Sequence, residues 1–200
     1  MVVDNKYTRV MFVSFPPSHT TLPHVHSTDS VYVFLTVNGA RVSNQVKGNG
    51  CMHDFMEFGE VRYGVHSKKC PLVHKITAGE ETPVNCFDVE VKIPPPSRGG
   101  QETKSIEGHE VVKVREKVRV YKHILKAGES VVREYDFFHV LVVGSTSEIE
   151  FEGEGGWKEE NVKGSANWSG PTKEGRREKN VGEEDFIVYV VQFREGWKEE

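Results

Sequence analysis

Short apolar runs alternate with polar and turn-forming residues along the whole chain. These runs predict β-strands at residues 9–15, 31–37, 40–46, 87–93, 118–125, 140–143, 148–151 and 186–193. Pairs such as Asn38-Gly39 and Ala127-Gly128, which favour turns, lie between them. We find no long segment with the periodicity of an amphipathic helix. Many short strands at this spacing are typical of an all-β sandwich or barrel.

The strand pattern occurs twice. The segments at residues 10–35 resemble those at residues 118–143, at an offset of roughly 108 residues, which indicates a duplicated β domain. Between the copies lies a stretch that is first rich in proline and glycine and then polar, as in a linker. We therefore predict an N-terminal domain over residues 1–93, a linker over residues 94–109 and a C-terminal domain over residues 110–200. The charged segments 152–160 and 173–179 are predicted to be solvated loops.

The composition limits the classes of partner. The 200 residues include 26 lysines and arginines against 30 aspartates and glutamates, so no excess of positive charge indicates a nucleic acid or an acidic membrane surface. No apolar stretch approaches the about 20 residues of a membrane span, and the N-terminus lacks a signal-peptide pattern. The odd number of cysteines, without Cys-x-x-Cys spacing, predicts free thiols in a reducing, cytoplasmic compartment.

His24 and His26 are the strongest candidates for chemistry. They flank Val25 just before an apolar run, and residues at i and i+2 of a strand point to the same side of the sheet. Their Cα atoms are expected to lie about 6.6 Å apart, from a rise of about 3.3 Å per residue. With a third donor from elsewhere, two such imidazoles form a metal site with open positions. The alternative is a polar or pH-sensitive surface pair.

The chain resembles the cupin superfamily, in the form of a two-domain protein, or bicupin. The first cupin motif, His-x-His, matches His24 and His26, and the second matches residues 59–63 leading to His74. The strand at residues 87–92 is similar to the one that closes these domains. The resemblance implies two tandem double-stranded β-helix barrels, which are jelly-roll-like. It also implies a divalent metal, Fe(II), Mn(II) or Zn(II), with His24, His26 and His74 as its ligands.

The sequence departs from the family pattern in its first domain. The family's glutamate is expected four or five residues beyond His26, where Ser30 and Val31 stand, and Asp29 comes one position too early. Asp29 is therefore either an auxiliary ligand or a residue that orients a ligand histidine. Without it the site has three histidines, as in some relatives that are thiol dioxygenases. The asparagine that often follows the third histidine is also missing, since Thr77 and Ala78 stand there.

The second domain departs further. Aligned on the apolar runs, Arg133 takes the place of His24, Tyr135 that of His26, and Arg176 roughly that of the third histidine. Because arginine stays protonated and has no lone pair to donate, we expect no metal in the C-terminal copy. Its role is then structural packing, or binding of an anion by the two arginines.

Other residues are candidates for substrate binding. Either Tyr32 and Phe34 or the alternate residues of the same strand line the cavity, and Arg62 and Tyr63 are candidates for holding a substrate carboxylate or hydroxyl. A surface ion pair is the alternative role of Arg62. His53 and His66 flank the second motif and are expected to be exposed; the alternative is that they reach the mouth of the pocket as proton shuttles.

Together these features predict a metal-dependent cupin enzyme that acts on a small molecule, of the dioxygenase, lyase, isomerase or cyclase type. Its catalytic residues would be His24, His26, His74 and Asp29. One alternative is a bicupin that binds a small ligand or metal without turnover. Another is a metal-free isomerase or epimerase with His74 or His24 as its base. The chain is expected to be a monomer or a homodimer, since tandem domains can cover edge strands within one chain.

Overall fold

Two units of antiparallel strands follow one another along the chain. The computed structural model describes residues 1–99, 103–152, 158–172 and 175–198. The chain divides into one unit over Met1–Ile93 and a second that begins at Pro94. Within the described ranges all regular secondary structure is β-strand, which confirms the all-β prediction, and no helix is long and apolar enough to cross a membrane.

The first unit is built of two sheets. One has the strand order β1-β2-β9-β4-β7, and the other has the order β3-β8-β5-β6. The bounds are β1 Val3–Asp4, β2 Thr8–Phe15, β3 His24–His26, β4 Ser30–Phe34, β5 Ala40–Val46, β6 Gly50–Met56, β7 Val61–Gly64, β8 Leu72–Ala78 and β9 Val84–Val91.

The second unit repeats this arrangement. Its sheets have the orders β10-β11-β18-β13-β16 and β12-β17-β14-β15, which match the first unit strand for strand. The bounds are β10 His109–Val114, β11 Val118–Leu125, β12 Ser130–Arg133, β13 His139–Val143, β14 Ser147–Phe151, β15 Lys158–Asn161, β16 Ala166–Ser169, β17 Arg176–Asn180 and β18 Phe186–Phe193. The duplication inferred from the apolar pattern therefore has a counterpart in topology.

Apolar side chains from both sheets meet inside each unit. In the first unit Phe15 and Phe34 of one sheet pack with Val42 of the other. In the second unit Tyr121 and Phe186 pack with Ile149 in the same way. Such packing of two sheet faces accounts for the alternation of apolar and polar residues along the strands. Each pair of sheets thus encloses a core formed by side chains of several strands.

The sequence located long apolar strands better than short polar ones. Strands β5, β11 and β18 have the predicted bounds, whereas β4 ends at Phe34 because a turn follows. The loop predictions were wrong where β15 and β17 lie, and residues 153–157 and 173–174 are outside the described part of the chain. Short polar strands escape prediction because cross-strand pairing, rather than their own apolar pattern, holds them in the sheet.

The proline-rich segment after the first unit forms contacts with the second. Arg98 donates from its backbone N–H and its Nε to the Glu195 carboxylate, at 2.9 and 3.0 Å. Thr103 Oγ1 donates to Asp136 at 2.7 Å. Regular structure resumes with β10 at His109. The described residues of this segment are therefore anchored on the second unit by polar contacts.

Candidate metal centre

Strands β3 and β8 bring three histidines together. In the antiparallel pair His24 lies directly opposite His74, and His26 follows two residues along β3. Their ring centroids are 4.4 Å apart for His24 and His74, 5.0 Å for His26 and His74, and 5.1 Å for His24 and His26. The side chains share one face because residues opposite each other, or two apart, point the same way.

The spacing of the imidazole nitrogens fits a common metal ion. Each histidine offers a nitrogen, and these three atoms lie within 4.8 Å of one another. His26 Nε2 and His74 Nε2 are 3.1 Å apart. Two nitrogens bound at about 2.1 Å from one ion, at right angles, would be about 3.0 Å apart, which is close to this separation. The donor set therefore suits a divalent transition metal with positions left open.

The Nδ1 atoms of His24 and His74 are bonded to acceptors. His24 Nδ1 donates to the Leu22 carbonyl oxygen at 2.9 Å, and His74 Nδ1 donates to Asn44 Oδ1 at 2.9 Å. With Nδ1 as the donor, the neutral form of each ring has its lone pair at Nε2, and this atom of His74 faces His26. Such bonds to the other ring nitrogen are typical of metal-binding histidines.

Burial keeps two of these rings neutral. His26 and His74 are each only 7% exposed. Burial, reinforced by neighbouring histidines, lowers the pKa of each ring to about 4. Both are therefore unprotonated at neutral pH and have a lone pair available for a cation.

A buried carboxylate and a phenol lie behind His26. Its Nδ1 faces the Tyr32 hydroxyl at 3.4 Å and Asp88 Oδ2 at 3.6 Å. Burial raises the pKa of Asp88 to about 7. His26, Asp88 and Glu90 form a second group of possible donors, but Glu90 is paired with Arg9. Asp88 Oδ2 thus lies near His26 Nδ1 and would help to orient that ring if Nε2 bound a cation.

Asp29 is buried but lies outside the group of three histidines. Tyr63 donates from its hydroxyl to Asp29 Oδ2 at 2.6 Å, and the His66 backbone N–H donates to Asp29 Oδ1 at 2.9 Å. The His66 ring lies 5.6 Å from the His26 ring. Asp29 therefore fixes the segment that carries His66, and through it a wall beside His26, rather than adding a donor to the three imidazoles.

Arg62 lies close to the site, but its guanidinium is already paired with carboxylates of the protein. Its Nε donates to Glu60 at 2.6 Å, and it is also paired with Asp54. These carboxylates raise its pKa. The guanidinium covers the Phe34 ring, 5.3 Å from its centroid. Of the two roles considered for Arg62, the geometry favours the structural ion pair, because its charge is already compensated.

The three histidines lie in a cavity of about 280 Å³, which we call the first cup. Tyr32 and Phe34 line it, whereas the alternate residues Val31 and Val33 are fully buried elsewhere. Cys86 also lines the cup, and burial raises the pKa of its thiol to about 12. The first cup is therefore largely apolar around its nitrogen donors.

Sequence reasoning missed several residues of the first cup. Asn44 lies against His74 and Asp88 against His26, but neither residue belongs to a sequence motif. His66 is half-buried and lines the cup, as in the alternative considered for it, while His53 is exposed as expected and is bonded to Ser43. These contacts depend on the register of strands far apart in sequence, which the pattern of a single strand does not show.

The corresponding place in the second unit has a different chemistry. Arg133 of β12 lies directly opposite Arg176 of β17, as His24 lies opposite His74. Both arginines line a cavity of about 270 Å³, which we call the second cup. Among the described residues, both groups of three close metal donors belong to the first unit.

No protein-family model matches the chain, and no curated protein matches it. Solved structures do. A cupin 2 conserved barrel domain protein from Leptotrichia buccalis is similar with a TM-score of 0.53 and 9% identity, over 96% of this chain and 86% of that one. Oxalate decarboxylase of Bacillus subtilis, described with Mn(II) centres, is similar with a TM-score of 0.60 and 13% identity, over 96% and 70%.

A third similar structure is a variant of salicylate 1,2-dioxygenase from Pseudoaminobacter salicylatoxidans. Its TM-score is 0.57 at 13% identity, over 94% of this chain and 72% of that one. At these identities the likeness concerns the fold, and the same architecture carries different reactions in different proteins. Taken with the two matching sets of antiparallel sheets, these comparisons show that the chain has the cupin fold.

Proposed function

We propose that the first unit is a metal-dependent enzyme site that acts on a small molecule through His24, His26 and His74. The observation that carries this proposal is the convergence of three imidazoles, with Nε2 atoms of His26 and His74 3.1 Å apart in a buried cavity. At this distance either the Nε2 proton of His26 or a metal cation lies between the two nitrogens. Fe(II), Mn(II) and Zn(II) all accept such donors.

The metal would supply Lewis acidity, and with iron also redox chemistry, to a substrate atom at its open positions. Three neutral imidazoles leave the ion its full charge, so an anionic or polarisable oxygen of the substrate is the expected partner. Iron would favour oxygenation, whereas manganese or zinc would favour lyase, isomerase or cyclase chemistry. The mainly apolar walls, which include Tyr32 and Phe34, suit a compact substrate with few polar groups.

The remaining residues hold the donors in place. Asn44 fixes the ring of His74, and Asp88 with Tyr32 faces the outer nitrogen of His26. Asp29 holds Tyr63 and the segment of His66. We assign these residues to positioning, because their polar atoms contact other side chains or backbone rather than the three Nε2 atoms. The alternative, a site that binds metal or ligand without turnover, uses the same geometry.

Metal content tests the proposal directly. The tag-free protein, dialysed without chelator, is expected to hold about one equivalent of metal or to take up Fe(II), Mn(II) or Zn(II). His26→Ala should lose this uptake because it removes a buried donor. His53→Ala is the matched control, since His53 is exposed and bonded to Ser43 outside the first cup. Less than about a tenth of an equivalent, with no uptake, would end the proposal.

Turnover separates the enzyme from the binding protein. Apo and metal-loaded protein would be compared on a panel of small metabolites for oxygen consumption, bond cleavage and isomerisation. The enzyme proposal expects activity only with metal, and none in His26→Ala. Metal loading without turnover would support the non-catalytic alternative. Full activity of His26→Ala without metal would support metal-free acid–base chemistry instead.

A further inference from the structure

Four charged side chains line the second cup, and their charges balance. Two are the arginines Arg133 and Arg176, and two are the glutamates Glu159 and Glu178. Arg133 Nη2 lies 2.8 Å from Glu178 Oε2, and these two side chains are 8% and 10% exposed. Because this ion pair already compensates the buried guanidinium, the cavity has no surplus charge with which to hold an ion. An uncharged ligand therefore suits it.

A buried histidine of the second cup has a lone pair that no described residue uses. His139 is 4% exposed and lines the cavity. Its Nδ1 donates to the Phe137 carbonyl oxygen at 3.0 Å, so the lone pair of the neutral ring is at Nε2. Burial lowers the pKa of His139 to about 4, which keeps the ring neutral at neutral pH. The second cup therefore contains a hydrogen-bond acceptor without a donor.

The hydroxyl of Tyr135, which packs against His139, donates elsewhere. The two rings meet edge to face with their centroids 4.7 Å apart. The Tyr135 hydroxyl lies 3.0 Å from His109 Nε2, and His109 Nδ1 donates to the Glu107 carbonyl oxygen at 2.9 Å. His109 Nε2 is therefore an acceptor, and the Tyr135 hydroxyl donates to it. Of the two histidines beside Tyr135, His109 has a donor and His139 does not.

The inner wall of the second cup is apolar. It is formed by buried side chains, namely Leu141, Ile149, Phe151 and Phe186. The volume of about 270 Å³ is close to the lower end of the range for small-molecule pockets. A ligand that fits this cavity is therefore small, and most of its surface contacts hydrocarbon.

We infer that the second cup binds a small uncharged alcohol or phenol, whose hydroxyl donates to His139 Nε2 and whose apolar body lies against the inner wall. A hydroxyl supplies the missing donor without adding charge to a cavity whose charges already balance. An aliphatic amine would also donate, but it is protonated at neutral pH and would add an uncompensated charge. This site is separate from the proposed metal centre and does not require it.

Calorimetric titration of the full chain at neutral pH with phenol and benzyl alcohol tests the inference. At least one of them is expected to bind saturably at one site. Its methyl ether, anisole or benzyl methyl ether, has no O–H group and should bind at least about tenfold more weakly, because His139 Nε2 is then left unpaired. Benzoate should also bind at least about tenfold more weakly, since its charge has no counterpart in the cavity.

His139→Leu tests the assigned acceptor. This variant removes the ring nitrogens but keeps an apolar wall, so the hydroxyl compound and its methyl ether should bind equally well. Loss of this preference is the readout, because general damage to the cavity would weaken both compounds alike. His53→Leu is the matched control, since His53 is exposed and lies outside both cups, and it should keep the preference. Tryptophan fluorescence verifies that both variants are folded.

The comparison of hydroxyl compound and ether in the wild type does not depend on any variant. The inference is overturned if neither phenol nor benzyl alcohol binds, if the methyl ether or benzoate binds equally well, or if the preference for the hydroxyl survives in His139→Leu. A preference that His26→Ala abolishes and His139→Leu retains would place the ligand in the first cup and would also overturn it.

Discussion

The two cups occupy equivalent places in two sheets of the same strand order but hold opposite kinds of group. The first joins three imidazoles, which are electron-pair donors, whereas the second joins two guanidinium groups, which only donate hydrogen bonds. His24 opposite His74 and Arg133 opposite Arg176 have the same cross-strand relation. The backbone register thus fixes where a site can form, and the residue type decides which ligand it takes.

The two units also differ at the ends of the strands that carry His74 and Arg176. Asn180 ends β17 at the position of Ala78 on β8, four residues after Arg176 and His74 respectively. Asn180 is fully buried, whereas Ala78 has no polar side chain. The asparagine missing from the first unit is therefore present in the second, where it connects strand ends instead of supporting a metal site.

The largest expected effect comes from giving the first cup the chemistry of the second. His74→Arg replaces a buried donor by a cation, so metal affinity should fall roughly a hundredfold or more. Measurement is by calorimetric titration with Zn(II) and by metal analysis. His53→Arg adds the same charge at an exposed position and should bind metal as the wild type does. If His74→Arg bound metal as tightly as the wild type, the residue at this position would not be what distinguishes the chemistry of the two cups.

An intermediate effect is expected on stability from Asn180→Ala. The Asn180 amide donates to the carbonyl oxygens of Leu125 and Glu184 at 2.9 and 2.8 Å, and its Oδ1 accepts from Ser147 Oγ at 2.6 Å. Loss of these buried bonds should lower the free energy of unfolding by about 3 kcal/mol. Urea unfolding followed by tryptophan fluorescence measures this in the second unit alone, because all three tryptophans lie beyond residue 150.

The control for this variant is an asparagine in the same unit. Asn167 is exposed on β16, and Asn167→Ala should change the free energy of unfolding by less than about 0.5 kcal/mol. If both variants lose the same amount, the buried hydrogen bonds of Asn180 are not what distinguishes the strand ends of the two units.

The smallest effect concerns pH. Burial lowers the pKa of His109 and of His139 to about 4, below the value of about 6.5 in an unfolded chain. The unfolded state therefore binds more protons, so the stability of the second unit is full above about pH 6.5 and falls as the pH drops toward 4. The raised pKa of Glu178 offsets part of this loss. Urea unfolding at pH 7.5, 6 and 5, followed by tryptophan fluorescence, measures the slope.

His139→Gln should make that slope shallower, since it removes one of the groups that bind a proton only on unfolding. In the first unit the lowered pKa values of His26 and His74 likewise reduce stability as the pH falls. The raised pKa of Asp88, about 7, has the opposite effect. A second unit whose stability is constant from pH 7.5 to 5 would contradict the assignment of buried neutral histidines.

The sequence identified the parts of both cups that lie within one strand or one motif. The His-x-His spacing placed His24 and His26 on one face, and the alignment of apolar runs placed Arg133 and Arg176 in the second unit. Asn44, Asp88 and Glu178 were missed because each meets its partner across a strand pairing. Single-strand periodicity shows which face a residue lies on, but it does not show which residue of another strand lies opposite.

With the proposed metal site, the pairing of β3 with β8 would make zinc uptake a measure of how the sheet assembles. Side chains alternate along a strand, so a slip of one position would turn His74 away from His24. The two strands are also separated by most of the first unit, so their contact forms only after a long loop has closed. During refolding, the rate at which zinc is captured would therefore follow closure of this sheet in its correct alignment, and misaligned chains would remain metal-free.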